Sequence, residues 1–166
     1  MLNLIPAWFS RWRSQTQRQH ATNIVLAATA ELRLPVIHTK PNIWSVVEEP
    51  CHGYPLRLDL AVQDELILCL LILDIHAYRP WVSQRLAVTL LEANTAYTYG
   101  SNRLVDRPSG MSIVHCHVCD SRLWDANHVA QVGRTVLKQM RELVSRLYAE
   151  ELIPSTAELA QSGHAD

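Results

Sequence analysis

Apolar and polar positions change rhythm several times along the chain, and each rhythm points to an element. Leu56, Leu58, Leu60 and Val62 alternate with Arg57, Asp59 and Gln63, the period-two pattern of a strand with one buried and one wet face. After Asp64-Glu65, a short reversal, the run Leu66–Ile75 is apolar on both parities. Ile67, Cys69, Leu71, Leu73 and Ile75 point one way, and Leu66, Leu68, Leu70 and Ile72 the other. Upstream, the β-branched and aromatic stretch 42–48 reads as a strand opened by Pro41 and closed by the turn-rich connector Pro50-Cys-His-Gly-Tyr-Pro55. Three strands joined by short turns predict an antiparallel meander.

Helical spacing flanks the strands. Residues 22–34 are rich in good helix formers, and Pro35 ends them. Val82, Leu86, Leu90 and Ala93 form one stripe of a helix that starts near Pro80 and Ser83 and ends near Asn94. Residues 101–106 and 111–119 read as two further strands around the turn Arg107-Pro-Ser-Gly110. Asp125 then caps a long helix through Val129, Val132, Val136, Met140, Leu143 and Leu147, which Pro154 stops. The predicted class is α+β: a five-stranded antiparallel sheet with helices on one side, in the order α-βββ-α-ββ-α.

With 166 residues, 48% of them hydrophobic, the chain is long enough for one domain with a real core. It divides into a basic amphipathic N-terminal helix (1–20), an α+β domain (21–153) and a tail without periodicity (154–166). Residues 1–35 carry Arg11, Arg13, Arg18 and Arg33 against Glu31, while the whole chain has a net charge of −1. No dense basic patch recruits nucleic acid. Ile5, Trp8, Phe9 and Trp12 fall at helical spacing beside Arg11 and Arg13. That stripe suits either an anionic membrane surface or packing on protein, and so few charges favour protein. The apolar residues precede the arginines, opposite to a secretory signal, and four cysteines then read as reduced thiols. The expected compartment is the cytoplasm.

The element order resembles the type III secretion chaperone-like fold, and within it the sensory transduction regulator (YbjN-like) group. The residues that carry the likeness are Leu90-Leu-Glu-Ala-Asn94, the segment Tyr97–Gly100, the two-stranded unit through Ile113 and the terminal helix from Asp125. The resemblance implies a small, often dimeric, non-enzymatic protein that holds or regulates another polypeptide. Two departures stand out: the N-terminal extension is longer than that core needs, and the acidic character of dedicated secretion chaperones is missing.

The doubly apolar strand leads to the same expectation from the residues. Leaving Leu66, Leu68, Leu70 and Ile72 in water would forgo about 6–12 kcal/mol of burial, comparable with a domain's net stability. Three covers are open: the N-terminal helix folded across, a second copy of the chain, or a client polypeptide. The expected partners are a second copy of the chain in a homodimer and a polypeptide of unknown identity, and the candidate partner-binding residues are Trp8, Phe9, Trp12, Leu66, Leu68, Leu70 and Ile72. A metal or thiol-redox reading competes through His115, Cys116, His117 and Cys119, whose Cys-x-x-Cys spacing and imidazoles suit zinc, with Cys51 and His52 as conceivable completing ligands. Strand parity opposes it, because Cys116 and Cys119 point to opposite faces while His115, His117 and Cys119 share one. The plainer reading makes the thiols small buried hydrophobes and sets the histidines on the wetter face. No phosphate-binding loop, dinucleotide fingerprint or nucleophile elbow is present, so neither a catalytic residue nor a cofactor is expected.

Overall fold

The alternating stretch around Leu56–Val62 becomes the centre of the sheet. A computed structural model describes residues 7–75, 80–107 and 110–154. The elements are α1 (Ala7–Leu32), β1 (Val36–Lys40), β2 (Ile43–Cys51), β3 (Tyr54–Gln63), β4 (Leu66–Asp74), α2 (Pro80–Ala96), β5 (Ser101–Arg107), β6 (Gly110–Asp120) and α3 (Ala126–Ala149). Every neighbouring pair of strands is antiparallel, in the spatial order β1-β2-β3-β4-β6-β5. The class is α+β, as the pattern predicts.

The sheet has six strands rather than five. The additional one, β1, is five residues between Pro35 and Pro41, and prolines on both sides read locally as breakers. Its strand character comes from pairing with β2, where Val36 lies opposite Val46 and Lys40 opposite Ile43. The two-residue turn Pro41-Asn42 closes that hairpin, with Asn42 at φ 64°. The expected connector at 50–55 is a tighter hairpin. His52 (φ 50°) and Gly53 (φ 81°) both adopt the left-handed conformation, which matches the twist of paired strands. Cys51 and Tyr54 are thereby ladder partners.

Helix α1 runs unbroken across residues 20 and 21, joining the expected N-terminal helix to the domain. Ala21, Ile24, Val25, Ala28 and Leu32 are buried. A Cβ on Gly133 of α3 would stand 3.2 Å from Leu58 and 3.3 Å from Leu32, so α1, α3 and β3 meet on one side of the sheet. Helix α2 lies beside α3, tied by Arg146–Glu92 at 2.7 Å and by the Tyr97 hydroxyl donating to the Gln139 carbonyl at 3.3 Å. Asp125 caps α3 by accepting from the His128 amide. Among the described residues no helix is long and apolar enough to cross a membrane.

Candidate binding face and imidazole–thiol cluster

The register sorts the side chains of β4 and its neighbours into two sets. Leu58 faces Leu71, Leu60 faces Cys69, Cys69 faces His117 and Leu71 faces His115. All six lie on the helix-covered side, where Ile67, Cys69 and Leu71 are 0% exposed and Leu73 1%. On the other side, Ala61–Leu68–Val118 and Asp59–Leu70–Cys116 form rows across β3, β4 and β6, with Ile72 opposite Val114. There Leu68, Leu70 and Ile72 are half-buried, while Leu66 is 36% and Val118 47% exposed. No described helix lies over this face.

The cover by residues 1–20 is thereby corrected for the described part of the helix. Residues 15–32 of α1 pack on the opposite side. Arg18 pairs with Asp64 at the β3–β4 turn at 3.0 Å, and the ring of His20 contacts the Ser121 carbonyl at 3.2 Å. An α-helix rises about 1.5 Å per residue, so the stretch from Ala7 to Arg18 leads onward from that turn along the same helix axis. The side chains of Trp8, Phe9 and Trp12 lie outside the described residues.

Several polar groups on the helix-free face pair with one another, and the exposed Arg103 stands opposite Val114. Ser45 donates to Asp59 at 2.6 Å, and Arg57 pairs with Asp59 at 3.1 Å. Ser112 donates to Asp74 at 2.5 Å. What remains is an apolar centre of Leu68, Leu70, Ile72, Val114, Cys116 and Val118.

Both sheet edges are blunted. At β5 the side chain of Asn94 accepts from the Asn102 amide at 2.8 Å and donates to the Asn102 carbonyl at 3.0 Å. It thus occupies one pair of the outward backbone groups that an added strand would need. At β1 the strand is short, its register shifts between His38 and Lys40, and Pro35 and Pro41 bound it. Short length, irregularity, lysine and proline all discourage strand addition. These features discourage extension of the sheet, and the broad face is a further surface open to a partner.

The imidazole–thiol cluster lies on the covered side. His115 is fully buried, and its Nδ1 sits 3.0 Å from Asn102 Oδ1. The Nε2 of His115 is left buried without a hydrogen-bond partner. Burial chiefly, and the neighbouring His117 secondarily, lower its pKa to about 4, against a smaller opposing pull from the Tyr99 backbone. Gly100, at φ +70°, passes so close that a Cβ would stand 2.6 Å from His115 Nε2 and 2.5 Å from the Cys116 carbonyl. Around His117 the rings of Tyr99 and Trp124 meet edge to face at 5.3 and 6.0 Å, and Trp124 meets His128 at 5.8 Å. Burial lowers the His117 pKa as well.

The placement of the histidines on the wetter face is also corrected. His115 and His117 stand opposite Leu71 and Cys69, so their side is the core side. His117 is only partly buried there, while Cys116, also partly exposed, lies opposite Leu70 on the helix-free face. Cys69 and Cys119 are close neighbours within the core, where the Cys69 thiol hydrogen-bonds to Cys119. This bond raises the Cys69 pKa well above its ordinary value and lowers that of Cys119. His115, Cys116, His117 and Cys119 do not converge: Cys116 points away from the other three, and among the described residues no group of three or more such side chains could hold a metal. Cys51 lies elsewhere, 3.6 Å from the Arg141 carbonyl, and His52 stacks on Tyr148.

Sequence reasoning missed β1, the Asn94–Asn102 clamp and the Cys69–Cys119 contact. Parity could have found the last two partners' faces, but not their register.

No protein-family model matches this chain, and neither does any curated protein. Among solved structures it is similar to the crystal structure of YbjN from E. coli, a protein proposed as a transcription regulator. The TM-score is 0.59 at 15% identity, over 76% of this chain and 90% of that one. The likeness establishes a YbjN-like fold, in agreement with the element order, and the neighbour is described as a regulator rather than an enzyme.

Proposed function

We propose that this protein is a non-enzymatic binding module with a chaperone-like or regulatory role, acting in the cytoplasm and holding another polypeptide against the helix-free face of its sheet. The carrying observation is the contrast within β4: Ile67, Cys69 and Leu71 are sealed by the chain's own helices, while Leu66, Leu68, Leu70 and Ile72 are left partly open. Asp59 and Asp74 beside them are held by Ser45, Arg57 and Ser112, which leaves an apolar surface suited to a partner that sits flat on the face. Trp8, Phe9 and Trp12 supply a second apolar surface in this reading. The similarity to a proposed regulator supports a role in control rather than catalysis. The test replaces Leu68 and Leu70 with Asp. It then measures self-association by light scattering and retention on an immobilised unfolded polypeptide. Loss of either association with unchanged circular dichroism supports the proposal. A double variant that keeps every association of the wild type overturns it.

A further inference from the structure

We infer that the N-terminal half of α1 is an interfacial helix that docks on an anionic lipid surface, lying on the bilayer rather than crossing it. The inference stands apart from the sheet-face reading and gives the second apolar surface its own partner. Helical phase is the first argument. Successive residues of an α-helix turn by about 100°, so Trp8, Phe9 and Trp12 fall within one arc about 100° wide. The helix packs on the domain through Ala21, Ile24, Val25, Ala28 and Leu32, whose arc is centred about 170° away. The aromatic positions therefore face away from the side on which α1 meets the domain. Carried down the helix, the same line passes through Thr16, Gln19, Asn23, Leu26, Ala27 and Ala30, all exposed, and Leu26 is 47% exposed.

Placement is the second argument. Arg18 is held at the β3–β4 turn by Asp64, and α1 begins at Ala7, about 16 Å further along the helix axis. The aromatic positions thus lie on an arm that is helically continuous with the domain and turned outward from it.

Charge is the third. No Asp or Glu occurs before Glu31, whereas Arg11, Arg13 and Arg18 do. Arg11 and Arg13 flank the aromatic arc on its two sides, about 90–110° from its centre. Long basic side chains at such borders reach lipid phosphates, while Trp rings settle at the headgroup boundary. The carboxylates at that end of the sheet are engaged within the domain: Asp64 by Arg18, Glu65 and Asp120 by Arg122, and Asp125 by His128. Attachment of an interfacial helix scales with buried apolar area plus attraction to anionic lipid, and this arm supplies both.

The test sediments the full chain with vesicles of phosphatidylcholine alone and of an equal mixture with phosphatidylglycerol. Partitioning should be about tenfold or more stronger on the anionic vesicles and should weaken in high salt. Trp8→Ala with Trp12→Ala should lower it about tenfold. Arg11→Gln with Arg13→Gln should bring it near the phosphatidylcholine level. Trp8→Phe with Trp12→Phe keeps the apolar arc, so it should still bind, with less quenching of tryptophan emission by brominated acyl chains than the wild type shows. Leu68→Asp with Leu70→Asp should bind vesicles as the wild type does, which separates the arm from the sheet face.

A wild type that stays in the supernatant with anionic vesicles overturns the inference, and so does vesicle binding that survives both the Trp→Ala and the Arg→Gln pairs. If Trp8→Ala with Trp12→Ala abolishes retention on an immobilised unfolded polypeptide but leaves vesicle binding unchanged, the arm is a protein-binding surface and the lipid assignment fails. Should a variant lose its helical circular dichroism, bromolipid quenching of the wild type decides alone: its absence overturns the inference.

Discussion

The two sides of β4 are made of nearly the same residues and meet opposite fates. Leu71 and Leu70 are adjacent leucines in one strand, yet Leu71 is sealed under the helices while Leu70 stands in a half-open row with Asp59 and Cys116. An apolar run states a demand for burial. Which neighbour satisfies it depends on where the connections place the helices, and here all three described helices fall on one side. The polar groups divide the same way. His115 is pulled into the covered side and kept neutral, whereas Asp59 on the open side pairs with Arg57.

Truncating the two leucines is the largest test of this contrast. Leu71→Ala should lower the unfolding free energy by about 2–5 kcal/mol through a cavity in the core. Leu70→Ala should lower it by about 1 kcal/mol or less at low protein concentration, where little buried surface is lost. Urea denaturation of both gives the answer, and equal losses would erase the difference between the faces.

Acid should act on the covered side next. The folded chain lowers the His115 pKa from 6.5 to about 4, so folding favours the neutral ring. Its contribution is complete above pH 6.5 and is lost as pH falls toward 4. At about 1.4 kcal/mol per pH unit, the loss is about 3.5 kcal/mol at most. His117, shifted the same way by burial, adds in the same direction. Stability measured from pH 7.5 to 4 should decline in the wild type and decline less in His115→Gln. An unchanged slope would mean that the ring is not held neutral.

The clamp at the β5 edge is a smaller test. Asn94→Ala removes both hydrogen bonds to Asn102 and should cost about 1–3 kcal/mol, with amide exchange of Asn102 accelerating selectively. If exchange stays slow, β5 is guarded by something other than that side chain. Smallest of all is Arg18→Ala. The Arg18–Asp64 pair is half-exposed on both sides, so its loss should change stability by less than about 1 kcal/mol and should matter less in high salt.

Much of the architecture was legible because its signals are local. The alternation at Leu56–Gln63, the capping aspartate at 125 and the three-four spacing from Val129 to Leu147 each dictate an element without help from the rest. β1 was not legible, because five residues between two prolines have no pattern of their own and become a strand only through pairing with β2. For the candidate site, parity put Cys116 and Cys119 on opposite faces and His115 with His117. The plainer reading set those histidines on the wetter face, whereas they lie on the helix-covered one.

The linear order of residues, by itself, determined that Leu66–Ile75 would present apolar side chains on both faces, because a strand turns every successive side chain over. Only the tertiary structure decided which of those faces the chain would cover. Long-range packing set it: α1 and α3 meet over Leu58 through the bare backbone at Gly133, and α2 is pinned beside them by Asn94 and Arg146. None of these distant contacts leaves a periodic trace along the sequence, so the helices' choice of side is a property of the fold.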